Sequence, residues 1–379
     1  MKFINLKLWL IFSLLTGCQA VSIPETPSTP ENSSVSESQL TLSNAILEQA
    51  NPLGKTLWRI KSVQTTYSPD RKVGYLDDVT GNFWENQELA IYLSATKGQV
   101  IDDGKTIILT DNVMIRDVRN QTIITADELT WYPEQNLIIL TANLTGQHPQ
   151  FNVTSTMGKY HTDTQELELI GDIVGYSQES SVKFTSNQLF WKIDEQKILV
   201  NAPVEIVRYN QDEVIIDKIV AQKLAIDLEL HQAKFKGNVE FISLEPAVQI
   251  ASNSIIWNYQ ERTIIADEPV KLIHHDEKIT LNANHGEINL VTEVAHLSQG
   301  VQGITPRNQA NLYASDLIWS MNTQIIEARG NVIYEQVEPY VHLTGDKMVG
   351  NIQDNQIVVS SEQDNQIVTD IILDPVATE

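Results

Sequence analysis

Residues 126–146 read Ala-Asp-Glu-Leu-Thr-Trp-Tyr-Pro-Glu-Gln-Asn-Leu-Ile-Ile-Leu-Thr-Ala-Asn-Leu-Thr-Gly. Trp131 marks the unit. A small residue, Ala126, stands five before it and Leu129 two before it. A polar turn, Pro133 to Asn136, follows, and then Ile138, Leu140, Ala142 and Leu144 alternate with Ile139, Thr141 and Asn143. Strand side chains alternate between faces, so this stretch predicts strand, tight turn, strand.

The unit recurs. Its centres are Val100, Trp131, Tyr160, Trp191, Ile226, Trp257, Ile288, Trp319 and Val349, spaced 31, 29, 31, 35, 31, 31, 31 and 30 residues apart. Five before each centre the residue is small, from Ala95 and Ala126 to Ala314 and Thr344; thirteen after each of the first eight stands an aliphatic, from Val113 and Leu144 to Val301 and Val332. A fixed period near 30 is the mark of a repeat architecture. A degenerate first unit centres on Tyr67, with Ser62 and Thr80 in the matching places. Two strands per unit make about 20 strands, too many for one flat open sheet. The expected fold is therefore all-β: a long, jelly-roll or solenoid-like antiparallel β sandwich of about nine to ten such repeats. It should occupy residues 53–375, closing with a hairpin over the twice-repeated Asp-Asn-Gln-Ile-Val at 354–358 and 364–368.

The start of the chain reads differently. Lys2 and Lys7 precede an apolar run from Leu8 to Leu15, the pattern of a secretion signal. The run is too short to span a bilayer, which takes about 20 apolar residues. It ends Leu15-Thr16-Gly17-Cys18, which resembles a lipobox, so residues 1–18 read as a lipoprotein signal with Cys18 the acylated residue. Cys18 is the one cysteine, so no intramolecular disulfide is available. Residues 19–52 read as a disordered tether; 19–40 are rich in Ser, Thr, Pro and Glu and hold too little apolar surface to fold. A short helix is expected from Ser43 to Ala50, capped by Ser43 and stopped before Pro52.

Composition and motifs narrow the function. A net charge of −23 over 379 residues excludes a nucleic-acid partner, because phosphate binding needs clustered Lys and Arg. No phosphate loop and no nucleophile elbow is present, and the acidic residues are scattered, so no enzyme and no cofactor is expected. His274 and His275 are adjacent on a strand and face opposite sides; no metal site is expected. The common register turns Leu129, Trp131, Leu140, Leu189, Trp191, Phe235, Ile255, Trp257, Leu317 and Trp319 inward.

Several details together resemble the LptA/LptC/OstA-like family. They are the order small residue, aromatic, turn, apolar strand; the endings Gly237-Asn238-Val239 and Gly330-Asn331-Val332; Gly98, Gly158 and Gly286 two before non-tryptophan centres; and Trp58-Arg59-Ile60 after an N-terminal anchor. The resemblance covers about residues 55–350. It implies a β groove for lipopolysaccharide or a related glycolipid, with the ten inward residues lining it. It also implies a place on the periplasmic face of the inner membrane. There the protein accepts glycolipid from an inner-membrane export ABC transporter and passes it to an LptA-like periplasmic bridge. The transporter's β domains would meet the edge near Trp58–Val63, and the bridge the edge near Gln356–Ser360 and Gln366–Leu373. Two departures stand out: a lipid anchor replaces the transmembrane helix of shorter members, and the chain is about twice their length. The alternative is a structural, scaffolding lipoprotein with a dry core that binds proteins only.

Overall fold

The computed structural model describes residues 39–372 except 52, 86, 120, 150, 178–180, 246, 307–308, 355 and 362–367. The signal, Cys18 and most of the tether lie outside the described residues.

Polar turns and alternating apolar residues produce the expected result. The described residues form one hydrogen-bonded sheet of 26 antiparallel strand segments, from Thr41–Ala50 to Val368–Ile372, broken otherwise by turns such as the 3-10 turns Asp102–Gly104 and Pro133–Gln135. Each repeat contributes two lengths of strand, such as Thr122–Tyr132 and Leu137–His148, joined by the predicted turn.

Most strands are long and bent in the middle. In Thr106–Asp117 the pairing slips by one residue between Thr110 and Val113, and Asp111 and Asn112 there are left-handed, at φ 62° and 58°. The same left-handed pair recurs at Ala142-Asn143, Gly171-Asp172, Gly237-Asn238, Gln299-Gly300 and Gly330-Asn331. The two intervening units place Pro203 and Pro269 there, between the segments Lys197–Val200 and Val204–Tyr209, and Thr263–Ala266 and Val270–His274. An extra residue on one strand of a pair bends that strand and raises its twist. Repeated on every other strand, it folds the whole sheet along a line. Polar side chains brace this corner: Asn112 Nδ2 donates to Thr96 Oγ1 at 3.1 Å, and Asn143 Nδ2 to Asp127 Oδ2 at 2.7 Å.

The two marker rows of the sequence meet along the corner. The aliphatic of one strand stands opposite the small residue of the next: Ser62, Val79 and Ala95 at the start, Ser186, Val204 and Ala221 in the middle, then Ser252, Val270, Ala283, Val301 and Ala314. All are buried. Alternating small and branched side chains let two layers close on each other at the fold line. A Cβ on Gly158 would stand 2.8 Å from a methyl of Leu144, so this inner position is filled by its neighbour's side chain.

Contacts across the fold show that the halves lie face to face. On Leu137–His148, His148 is ten residues beyond Ile138, about 33 Å along a straight strand. Ile138 shares an inner row with Trp191, three strands away. Yet the rings of His148 and Trp191 lie 5.7 Å apart. The fold is thus the expected all-β, antiparallel, jelly-roll-like sandwich, made by doubling one sheet over.

Four local expectations are corrected. Ser43 to Ala50 is not helical: Thr41–Ala50 is a strand paired along Thr56–Tyr67, so the sheet begins before residue 53. A helix of that length is marginal alone, whereas the neighbouring strand offers it a full ladder, and Glu48 also bonds Thr56 and Arg59. Among the described residues the last segments do not pair as a hairpin: Gln356–Ser360 and Val368–Ile372 both pair with Tyr340–Asn351, along its two halves, as successive lengths of one edge. A twelve-residue strand has room for both. In the last unit the register is one residue off: Gly345, not Thr344, faces Val332, and Met348 and Gly350 rather than Val349 are buried. In the first, Val79 rather than Thr80 faces Ser62.

Candidate functional site

The inner face of the doubled sheet is apolar along its length. Of the ten residues read as inward, nine are buried, among them Phe235, Ile255 and Leu317 at 0%, Leu129, Leu140 and Trp319 at 1%, Trp131, Leu189 and Trp191; Trp257 is half-buried. They fall into two rows that cross the strands. One runs Leu109, Leu129, Leu140, Gly158, Leu169, Leu189, and the pair Phe235 and Ile255 continues it. The other carries the tryptophans: Trp131, Ile138, Tyr160, Leu167, Trp191, Ile198, Ile226, Ala233, Trp257, Ile264, Ile288, Ala295, Trp319.

The tryptophan row lies next to one line of turns. Each centre precedes its turn by two residues, so the row edges the side of the sandwich opposite the corner. That line of turns is itself laced together. From Trp131 to Trp319 the residue five after each centre is left-handed, as at Asn136, Gln165, Gln196 and His231, and its carbonyl accepts from the next turn. Thr162 N donates to Asn136 O at 2.9 Å, Leu228 N to Gln196 O at 2.9 Å, and Met321 N to Glu293 O at 2.9 Å.

The opposite line of turns faces it across a mouth. Side chains near those turns reach over: Phe83 lies 4.7 Å from Trp131, Phe151 5.3 Å from Trp191, and His274 5.1 Å from Trp319. Gln324 Nε2 donates to Glu277 Oε1 at 3.3 Å, and Arg119 Nη2 to the Tyr160 hydroxyl at 3.5 Å. One lip is thus aromatic and the other is mixed polar. On the polar lip, buried Asp117 accepts from Arg119 Nε at 2.9 Å, and buried Asp217 from Arg208 Nε at 2.6 Å. The Asp117 carboxylate holds the Arg119 guanidinium above its ordinary pKa. Burial pushes the imidazoles of His148 and His274 below theirs; at His274 the acidic Asp276 and Glu277 oppose the shift.

Inside, little space is left. A 20 Å³ gap adjoins Trp191, Phe151 and Leu169. A cavity of 130 Å³ sits at the C-terminal end, between Leu281, Gly303, Leu312, Tyr334, Met348 and Ile357. That is near the roughly 150 Å³ of an apolar cavity that takes up benzene. The row of tryptophans also carries unmet donors: the buried Nε1–H groups of Trp191, Trp257 and Trp319 have no acceptor among the described residues, whereas Trp58 Nε1 donates to Gln49 Oε1 at 2.6 Å.

The sequence reading missed the polar lip. His148, His274, Arg119, Arg208 and Asp217 belong to no shared motif, and only folding brings them to the mouth. It also missed a visible signal. The residue twelve after each of the first eight centres is Asn112, Asn143, Asp172, Pro203, Asn238, Pro269, Gly300 or Asn331, a turn former every time, and this is the corner. The N-terminal edge is corrected too: Trp58–Val63 is covered by Thr41–Ala50, which is the outer strand among the described residues.

A family model described as "Lipopolysaccharide-assembly, LptC-related" matches residues 8–141 and again 119–240. The chain belongs to this family. Two overlapping matches in tandem accord with the internal repeat, and the folded repeats continue past residue 240 to the last strand. None of the curated protein sequences matches the chain. Among solved structures, it is similar to LptH of Pseudomonas aeruginosa, described as the LptA-homologous periplasmic component of the conserved lipopolysaccharide transport device. The identity is 9% and the TM-score 0.20, over 42% of this chain and 95% of that one. Membership places the protein in lipopolysaccharide assembly.

Proposed function

We propose that the doubled sheet is a conduit for lipopolysaccharide or a related glycolipid. In this reading the protein is anchored through Cys18 to the periplasmic face of the inner membrane, with residues 19–40 as a tether. It accepts glycolipid from the export ABC transporter and hands it to an LptA-like bridge. The observation that carries the reading is the inner face itself: an unbroken apolar surface across the strands, bordered on one side by a mouth. Among the described residues the mouth is closed by aromatic pairs and by polar links such as Gln324–Glu277. Aromatic pairs contribute about 0.5–1.5 kcal/mol each beyond their burial, so a stretch of mouth can part locally. Acyl chains entering there replace the apolar contact that the layers lose. The two ends of the sheet are edges among the described residues, Thr41–Ala50 at one and Gln356–Ser360 with Val368–Ile372 at the other. Open edges pair readily with a further strand, which suits a transporter domain at the first and a bridge protein at the second.

A scaffolding role remains the second reading, and the tight packing of the inner face favours it. Photo-crosslinkers in cells decide between the two. Placed at Leu129, Leu189 or Leu317 they should capture glycolipid, and at Thr130, Thr141 or Lys192 they should not. Equal capture by both sets contradicts a groove; no capture anywhere in a folded protein leaves the scaffold.

A further inference from the structure

We infer that the indole N–H groups of Trp191, Trp257 and Trp319 are docking points for the carbonyl oxygens that link acyl chains to a headgroup, an inference that rests on the conduit reading. Three buried Nε1–H groups in one inner row have no acceptor among the described residues. A buried tryptophan usually finds one, and the N-terminal unit provides it, since Gln49 accepts from Trp58. Packing alone gives no reason to keep a donor here; phenylalanine fills a core without that cost. Successive members of the set stand four strands apart in the row, about 19 Å at ordinary strand spacing.

Depth identifies the partner. The indoles lie in the row next to the mouth, with the leucine row and the corner beyond them. An amphiphile with its chains inside and its headgroup outside has its ester or amide carbonyls at this level. Tryptophan takes the same position at membrane interfaces, with its ring at the boundary between apolar and wet. The charged pairs Arg119–Asp117 and Arg208–Asp217 on the facing lip stand where a polar headgroup would emerge. Each station would hold one acyl linkage while another segment of mouth opens.

The test uses the full-length protein with 15N-labelled indoles, and two probes: a short-chain diester phospholipid, and its diether counterpart with the same chains and headgroup. The diester should move the three indole N–H resonances downfield, and the diether should not. Changing all three residues to Phe should weaken diester binding by about two- to tenfold and leave diether binding as it was. Equal resonance shifts with both probes, or unchanged diester affinity in the variant, overturns the inference while the conduit stands. Failure of both probes to bind the parent overturns the conduit reading, and this one with it.

Discussion

The rings of His148 and Trp191 meet edge to face, 5.7 Å apart at an interplanar angle of 90°. They join opposite lips of the folded sheet, and the His274–Trp319 contact at 5.1 Å repeats the arrangement further along. Both imidazoles are held below the ordinary value of 6.5, chiefly by burial. The folded state therefore keeps them neutral where the unfolded chain protonates them. The unfolded chain binds more protons as pH falls below 6.5, so stability is lost in that direction and regained as pH rises. Thermal melts from pH 8 to pH 5, values about 1.5 units either side of a free histidine, should show falling stability on the acid side. His148→Gln with His274→Gln should flatten that slope. An unchanged slope would mean that other groups set it.

The corner gives a second expectation. Gly237 sits at φ +81°, and a Cβ there would lie 2.6 Å from Oε1 of Gln222. A left-handed residue with a side chain costs about 1–2 kcal/mol, more if branched. Gly237→Val should lower stability by roughly 2 kcal/mol in denaturant unfolding, while Gly54→Val, at a left-handed position with open space around it, should cost only the backbone part of that.

The inner face gives a third. Phe235 is fully buried between the layers. Phe235→Ala should cost about 3–5 kcal/mol. Contact between neighbouring repeats is the main source of stability in such arrays, so the loss should be read as earlier unfolding of a central segment. Hydrogen exchange around Gln232–Leu244 and Ala247–Asn258 would show it.

The Arg208–Asp217 pair gives a fourth. Asp217 is buried, and removing one partner of such a pair leaves the other charge uncompensated, typically at about 3–5 kcal/mol. Arg208→Met should be strongly destabilising, and adding Asp217→Leu should recover most of the loss. If the double variant is no better than the single, the pair is not the cause.

The N-terminal strand gives a fifth. Deleting residues 1–51 uncovers the edge of Thr56–Tyr67, where Leu57 and Val63 are already exposed. Unpaired edges of this kind join to one another, so the shortened protein should self-associate in sedimentation more strongly than the parent. A monomeric shortened protein would show that this edge is not sticky.

By itself the sequence determined the repeat, its period and which side chains point inward, because strand geometry ties spacing directly to face. Trp131, Trp191 and Trp319 are where their register puts them, and from Ala126 to Ala314 the small residues meet the aliphatics thirteen positions past the centres as one buried line. Even the corner was written in the turn formers twelve after each centre. The tertiary structure decided what no local rule contains. Thr41–Ala50 became a strand because an edge lay beside it, and the final segments lay end to end because Tyr340–Asn351 had length for both. His148 reached Trp191, and His274 reached Trp319, only because a bend in every other strand doubled the sheet. A left-handed residue costs little more than a local turn, but repeated along a continuous ladder it adds up to a fold line, and that line brings the two lips of the mouth together.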